Sequence, residues 1–179
     1  MATEAQRAFA RNIYAAALRA TDIAPEFVTA QAILESGWGK SRVGRHNLFG
    51  ITRGTGWAGK TVLVLTHEYF PTPDRTFAPP ERIVSVCKVK GRKQWYYTVW
   101  RLFKDFDSLE DCLREHTRLL RKPGYADAWP FRHDAEEFAR RVCDALGSRY
   151  ATSPDYLRQM LLLIKSVRSI CQKSNASKK

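Results

Sequence analysis

The chain has 179 residues, which is the size of one domain with a sizeable core. Hydrophobic residues make up 44% of it, a globular composition that excludes an intrinsically disordered protein. The formal net charge of +12 indicates an anionic partner, and nucleic acid, an anionic membrane and a cell-wall polymer all fit that charge.

The first third of the chain predicts two helices. Apolar residues recur on one face of the segment 4–20, at Phe9, Ile13, Ala16 and Ala20. Pro25 is well placed to open a second helix that ends near Ser36. The segment 40–58 contains several glycines and predicts loops.

The pattern changes in the middle of the chain, where β-branched and aromatic residues predict strands. The segment 60–69 has the composition of one strand, and a proline-rich connection follows it. The segments 82–89 and 94–103 predict a hairpin around the turn at 90–93. We therefore expect a small antiparallel sheet lobe over about 57–103.

Helices return after the sheet. Ser108 and Asp111 have the spacing of a helix start before an apolar run. Asp134 is placed to cap the next helix, the dipeptide 153–154 to open the last one, and a polar tail follows at 172–179. The sequence predicts a single α+β domain over 1–179, with a helical lobe and a sheet lobe flanking a cleft.

One glutamate stands out as a candidate acid. Glu35 ends the second predicted helix, directly after Ile33 and Leu34. Apolar surroundings raise the pKa of a carboxyl group, and a carboxylic acid that is still protonated near neutral pH can donate to a glycosidic oxygen. Gly37 and Gly39 would let a substrate approach the backbone closely. On spacing alone, a solvated glutamate at a helix end is the alternative interpretation.

Four segments carry patterns that occur together in one family. They are ESGWGKS followed by HNLFGI in 35–51, W-x-G and T-x-E-Y in 57–69, FDSLE in 106–110, and YATSPDY in 150–156. In this order they resemble the glucosaminidase family of peptidoglycan hydrolases, which includes the flagellar muramidase-type domain and many autolysins. The match with mannosyl-glycoprotein endo-beta-N-acetylglucosaminidase-like enzymes covers about 25–165.

The resemblance implies a lysozyme-like fold and a set of site residues. It implies hydrolysis of the β-1,4 bond between N-acetylglucosamine and N-acetylmuramic acid in peptidoglycan. The catalytic residues that it implies are Glu35, Glu68 and Tyr150. The substrate-binding residues expected with them are Asn47, Phe49, Trp38, Tyr156 and His46. Tyr156 is the less favoured choice for the catalytic tyrosine, and His46 has an alternative interpretation as a loop residue that fixes the backbone near Asn47.

Glu68 has more than one interpretation. Strand alternation places it on the face of Val62, Val64 and Thr66, which could be the core-facing side. It is either a general base, an electrostatic support for the oxocarbenium-like transition state, or a charge at the hairpin edge. Inverting, retaining and substrate-assisted routes all stay open, since sequence gives no distance between carboxyl groups.

The sheet lobe departs from the family pattern. Arg101 follows Glu68 after 33 residues, where the family returns sooner to its F-R-x-aromatic stretch. The connection and the hairpin therefore predict an enlarged lobe. Its aromatic residues either pack the lobe or extend a sugar-binding wall, and they are Trp95, Tyr96, Tyr97 and Trp100.

Other classes of function are weaker fits. No histidines or cysteines have metal-ligand spacing, and three of the four cysteines fall on apolar helix positions, so we expect neither a metal nor a cofactor. A lytic transglycosylase or a muramidase would share the fold. A basic nucleic-acid-binding domain would cluster its cations on one helix face, whereas here they are spread through the chain.

The expected partner is therefore the glycan strand of peptidoglycan, with no nucleic acid, no membrane span and a monomeric enzyme. No apolar segment follows Met1–Arg7, so we expect synthesis in the cytoplasm and action in the periplasm or on the wall after release. Basicity and the single-domain composition favour a phage endolysin or a virion-associated lysin.

Overall fold

The computed structural model describes residues 2–144 and 155–172, which form five α-helices and one three-stranded sheet. The helices are α1 (Glu4–Ala20), α2 (Pro25–Ser36), α3 (Leu109–Leu120), α4 (Ala135–Asp144) and α5 (Tyr156–Cys171). The strands are β1 (Thr61–Phe70), β2 (Arg82–Lys88) and β3 (Trp95–Lys104). The predicted α+β class, with a mainly helical part and a small antiparallel sheet, is confirmed.

Helix α2 lies at the centre of the helical core. Eight of its twelve residues are buried, since it is apolar around nearly its whole circumference. Helices α1, α4 and α5 pack against it with their apolar faces, which include Ile13, Phe138 and Ile164. The rings of Phe27 and Phe138 meet edge to face at 4.7 Å. This packing fixes the axis of the helix that carries Glu35.

The helix starts follow their predicted signals. The Ser108 side chain accepts from the backbone N–H of Asp111 and caps α3. The Asp134 carboxylate accepts from two backbone N–H groups at the start of α4. Pro25 occupies the first turn of α2, as expected from its fixed φ.

The sheet has the order β1-β3-β2, and both neighbours of β3 are antiparallel to it. The hairpin of β2 and β3 is confirmed, while β1 and β3 lie one residue later than predicted. Lys60 falls outside β1, where its carbonyl accepts from Asp105 N and Trp57 Nε1. Loop contacts that are distant in sequence therefore decide where this strand begins.

The proline-rich connection between β1 and β2 packs onto one face of the sheet. The Tyr97 hydroxyl lies under it, donating to the Thr72 carbonyl and accepting from Arg75 N. Tyr97 is completely buried, so this aromatic residue packs the lobe. Trp95, Tyr96 and Trp100 are half-buried, and a sugar-binding role for them stays a prediction.

Two predictions lie outside the described residues: the opening of the last helix at 153–154, and the catalytic role of Tyr150. Residues 173–179 of the predicted polar tail also lie outside the described residues. Among the residues that the structure describes, no helix has the length and apolar character needed to cross a bilayer.

Candidate active site

Glu35 lies in the last turn of α2, and the local sequence explains why the helix stops there. Gly37 caps the helix with φ of 55°, a left-handed conformation that glycine adopts readily. The Ser36 hydroxyl donates to the Ala32 carbonyl at 2.6 Å and accepts from Gly39 N at 2.8 Å. Trp38 also has a positive φ, 63°. The turn after Glu35 is thus held by the buried Ser36 side chain.

A second glycine in this turn is required by packing. A Cβ atom on Gly39 would lie 2.6 Å from the Phe9 ring of α1, far inside van der Waals contact. The absence of a side chain at Gly39 therefore lets the turn rest against α1. The two glycines of the ESGWGKS segment set the backbone next to Glu35.

The Glu35 carboxylate accepts a hydrogen bond from the Tyr156 hydroxyl at 2.7 Å, measured between Oη and Oε1. Desolvation by the surrounding protein raises the pKa of Glu35 above its usual range, and the bond from Tyr156 opposes that rise. The side chain remains exposed at the surface, so water limits the rise. The outcome is an accessible carboxyl group that holds its proton to higher pH than an ordinary glutamate.

Behind Tyr156 lies a buried polar chain that the sequence analysis missed. Gln31 Nε2 donates to the Tyr156 hydroxyl at 2.9 Å, and Gln31 Oε1 lies 2.8 Å from His116 Nε2. Both Gln31 and His116 are completely buried. Phe49 stacks on the His116 ring with centroids 3.9 Å apart. Two signals were available: His116 falls in the apolar run of α3, and Gln31 interrupts an apolar helix four residues before Glu35.

Glu68 has a different environment. It accepts from Arg101 Nη1 at 2.7 Å, while Arg101 Nε donates to Glu81 at 2.9 Å. All three side chains are largely covered, with 24% of Glu68, 17% of Arg101 and 11% of Glu81 exposed. Burial raises the pKa of Glu68, Arg101 lowers it, and the Glu81 charge raises it. Neither Arg101 nor Glu81 was a candidate from the sequence, because their pairing depends on how the connection folds over the sheet.

The strand alternation predicted for Glu68 holds. Val62, Val64 and Thr66 are half-buried on the same face, and the opposite strand contributes the buried Val99. Glu68 is therefore not an exposed charge at the hairpin edge.

Asn47 is fully buried, and the structure gives it a role within the loop. Its Nδ2 donates to the carbonyls of Ile51 and Lys104, and its Oδ1 accepts from Ile51 N, all at 2.9 Å. Its backbone also pairs with Val43 in both directions. Asn47 ties the HNLFGI loop to the end of β3, and contact with substrate stays a prediction.

The other predicted binding residues lie around this loop and the Glu35 turn. Trp38 packs half-buried against the helical core, and His46 is half-buried in the turn that Asn47 closes. Phe49 lines a cavity of about 730 Å³ beside residues 50–57, with Lys104 and Lys122 also in its wall. Glu35 is not in that wall, so this cavity lies apart from the candidate acid. Substrate contacts of these three residues stay predictions.

Within residues 2–144 and 155–172, no three His, Cys, Asp or Glu side chains come together in a way that could hold a metal ion.

Comparison with known proteins identifies the family. The family model Glucosaminidase, described as mannosyl-glycoprotein endo-beta-N-acetylglucosaminidase, matches residues 11–169. The peptidoglycan hydrolase FlgJ of Escherichia coli O157:H7 is 31% identical over 82% of this chain and 41% of its own length. A probable N-acetylmuramidase of Lactococcus lactis subsp. lactis is 34% identical over 87% of this chain and 32% of its own length. The chain thus spans less than half of these relatives.

Solved structures agree in fold. The catalytic domain of the autolysin Auto from Listeria monocytogenes matches with a TM-score of 0.67 at 25% identity, over 96% of this chain and 89% of that one. The glycoside hydrolase domain of Salmonella typhimurium FlgJ has a TM-score of 0.67 at 23% identity, over 99% and 96%. The chain belongs to the glucosaminidase family of peptidoglycan hydrolases and has the fold of a glycoside hydrolase domain.

Proposed function

We propose that this peptidoglycan hydrolase cleaves the β-1,4 bond on the reducing side of N-acetylglucosamine, with Glu35 as the general acid. The observation that carries the role of Glu35 is its position: an accessible carboxyl group at the end of the central helix, with a raised pKa and Tyr156 bonded to one oxygen. A carboxyl group with a raised pKa keeps its proton to higher pH and can transfer it to the leaving glycosidic oxygen.

In the proposed reaction, Glu35 protonates the glycosidic oxygen as the bond to the sugar C1 breaks. Positive charge then develops on the sugar, as in other glycoside hydrolyses. Glu68 supports that charge or accepts the proton of the water that attacks C1. Arg101 favours the ionised form that either role needs. The water oxygen adds to C1 while its proton passes to Glu68 or to solvent, and the released sugar gains a new reducing end.

The supporting role proposed for Glu68 rests on fewer observations than the acid role proposed for Glu35. Its pairing with Arg101 and its burial hold it in place, which suits an electrostatic role. The substrate's own acetamido group could replace a base in the attack on C1, as it does in some glycosidases. Hydrolysis would then continue without Glu68 at a lower rate.

A muramidase activity is the second candidate, because three of the relatives carry the name probable N-acetylmuramidase. The two activities differ only in which sugar carries the new reducing end. Glu35 and its neighbours would serve both reactions, so the subsites that select the sugar decide between them.

Mass spectrometry of the fragments released from purified peptidoglycan tests the proposal. We expect fragments that end in reducing N-acetylglucosamine. Reducing N-acetylmuramic acid would make the enzyme a muramidase, and an anhydro-muramic end would make it a lytic transglycosylase. The Glu35→Gln variant is the negative control. If it released the same fragments in equal amount, Glu35 would not be the general acid.

The proposal includes the setting in which the enzyme acts. A net charge of +12 suits attraction to an anionic wall polymer. We propose a monomer that needs no nucleic acid or cofactor and reaches the wall as a phage endolysin or virion-associated lysin. Sedimentation of the purified chain and lysis assays from either side of the cell envelope test these points.

A further inference from the structure

Three hydrogen bonds join Glu35 to the interior of the helical core. They run from His116 on α3 to Gln31 on α2, from Gln31 to Tyr156 at the start of α5, and from Tyr156 to Glu35 at the end of α2. Gln31 and Glu35 are four residues apart on one helix, so both face Tyr156. Three helices therefore meet at this chain of polar groups.

The donors in this chain have one consistent direction. An ionised Glu35 can only accept, so the Tyr156 proton points at Glu35 Oε1. The Tyr156 oxygen then accepts, and Gln31 must present its Nε2 to it. Gln31 Oε1 consequently faces His116, which must carry a proton on Nε2. Burial lowers the pKa of His116 to about 3, so the neutral ring places its one proton there.

We propose that Gln31 and His116 are positioning residues that orient the Tyr156 hydroxyl so that it donates its hydrogen bond to Glu35 Oε1. The other carboxyl oxygen, Oε2, is then the one that carries the proton delivered to the substrate. This inference rests on the proposed role of Glu35 as the acid. Neither Gln31 nor His116 is expected to touch the substrate, because both are completely buried.

The environment supports a positioning role over simple core filling. A buried amide and a buried imidazole cost free energy unless they are hydrogen-bonded, and apolar residues of the same size would fill the space without that cost. The Phe49 ring stacks on the face of the His116 imidazole, with centroids 3.9 Å apart, and so restricts the orientation of that ring. Phe49 thereby connects the HNLFGI loop to the group of residues behind Tyr156.

A double-mutant cycle tests the proposal in the full chain, with Gln31→Met, Tyr156→Phe and their combination. We expect Gln31→Met to lower the hydrolysis rate on purified peptidoglycan roughly 10-fold, since small misplacements of catalytic groups cost up to about 100-fold. In the Tyr156→Phe background the same change should cost less than about 2-fold, because Gln31 acts through the hydroxyl. Equal losses in both backgrounds would show that Gln31 only fills the core.

The pH–rate profile gives a second readout that packing alone would not move. The hydrogen bond from Tyr156 lowers the pKa of Glu35, so its loss should shift the alkaline limb of the profile to higher pH. Gln31→Met should shift that limb in the same direction as Tyr156→Phe, and the double variant should add no further shift. An unmoved limb in Gln31→Met overturns the proposal.

Thr29→Val is the matched control. Thr29 is buried on the same helix, and its hydroxyl has no hydrogen-bond partner among the described residues. The change removes a buried polar atom two residues from Gln31, and we expect the rate and the alkaline limb to stay as in the wild type. A loss in Thr29→Val as large as that in Gln31→Met would assign both effects to general loosening of α2.

His116 provides the second pair of variants, which serves even if Gln31→Met does not fold. His116→Phe keeps a ring against Phe49 but removes the donor, whereas His116→Gln keeps an N–H near the position of Nε2. We expect His116→Phe to lose activity and His116→Gln to keep most of the wild-type activity. Equal activity in the two variants would contradict the positioning role of His116. If instead the proposed role of Glu35 as the acid were wrong, Glu35→Gln would stay active, which distinguishes that failure from failure of the positioning role.

Discussion

The two candidate carboxylates differ in what holds them. Glu35 bonds to the neutral hydroxyl of Tyr156, at the exposed end of a buried helix. Glu68 bonds to the cation Arg101 within a covered strand face, and Arg101 is shared with Glu81. A neutral donor leaves a carboxyl group free to be protonated, whereas a guanidinium favours the carboxylate. The helical region thus suits an acid and the sheet region an anion.

This contrast separates roles that the sequence left open. In both residues burial is the largest cause that raises the pKa, so desolvation alone does not distinguish them. What differs is the charge of the bonded neighbour. The pKa of both carboxyl groups is raised overall, so it is the charge of the bonded neighbour that favours Glu35 as the proposed acid.

The largest effect is expected from Glu35→Gln. Glutamine keeps the shape but has no acidic proton, and general acid catalysis contributes about 100-fold or more. Turbidity clearance of purified walls should fall at least roughly 100-fold while the circular dichroism spectrum stays unchanged. Glu4→Gln, which changes a surface glutamate paired with Arg11, is the control and should be fully active. A folded Glu35→Gln variant with a tenth of wild-type activity would remove the acid role.

Glu68→Gln should lose less, about 10-fold, because water or the substrate's acetamido group can partly replace it. Glu81→Gln is its matched control, since Glu81 bonds to the same Arg101. If the loss in Glu68→Gln came only from a loosened ion pair, Glu81→Gln would lose as much. A Glu68→Gln variant as inactive as Glu35→Gln would favour a mechanism with two essential carboxylates.

Arg101→Met should act on stability. It leaves Glu68 and Glu81 covered and facing each other without a cation, and we expect a loss of about 2 kcal/mol in the free energy of unfolding at neutral pH. Arg101 lowers the pKa of Glu68, so without it the folded-state pKa of Glu68 rises. The penalty is therefore present above that pKa and shrinks as the pH falls through it. Urea unfolding at several pH values checks this, and a pH-independent loss would contradict it.

Tyr156→Phe should shift the pH dependence. In the proposed mechanism activity needs protonated Glu35, so it should be lost as the pH rises through the pKa of Glu35. Tyr156 lowers that pKa, so its removal should move the alkaline limb of the pH–rate profile to higher pH. Tyr150, which lies outside the described residues, supplies the comparison. A shift in Tyr150→Phe with none in Tyr156→Phe would favour Tyr150, as the family resemblance implies, as the catalytic tyrosine.

The smallest effect in this series concerns the charge of the whole chain. Attraction between a chain of net charge +12 and an anionic wall is screened by salt. Binding of the inactive Glu35→Gln variant to purified walls should weaken from low to high ionic strength. Unchanged binding would assign the positive charge to another purpose.

Much of this arrangement was accessible from the sequence because it is local. Pro25, Ser108 and Asp134 mark helix starts through their own side chains or fixed φ, and the periodicity between them gives the helices. The position of Glu35 before Gly37 is likewise local, since the glycine ends the helix in the next turn.

The neighbours of Glu35 and Glu68 could not be predicted in this way. Gln31 and His116 are 85 residues apart, and Arg101 follows Glu68 by 33. Their meeting depends on how helices and strands pack, which periodicity does not specify. Asn47 shows the same limit: its motif was noticed, but its role in tying the loop to Lys104 required the fold.

Direct titration of Glu35 tests the central claim most closely. Carboxyl ¹³C resonances of labelled glutamates can be followed by NMR between pH 3 and 9 (roughly one unit below and several above an ordinary glutamate pKa), with Glu35→Gln assigning the signal. We expect the pKa of Glu35 to lie above 4.5, the ordinary value, and to rise further in Tyr156→Phe. A Glu35 that titrates at or below 4.5, or does not respond to Tyr156→Phe, would contradict it.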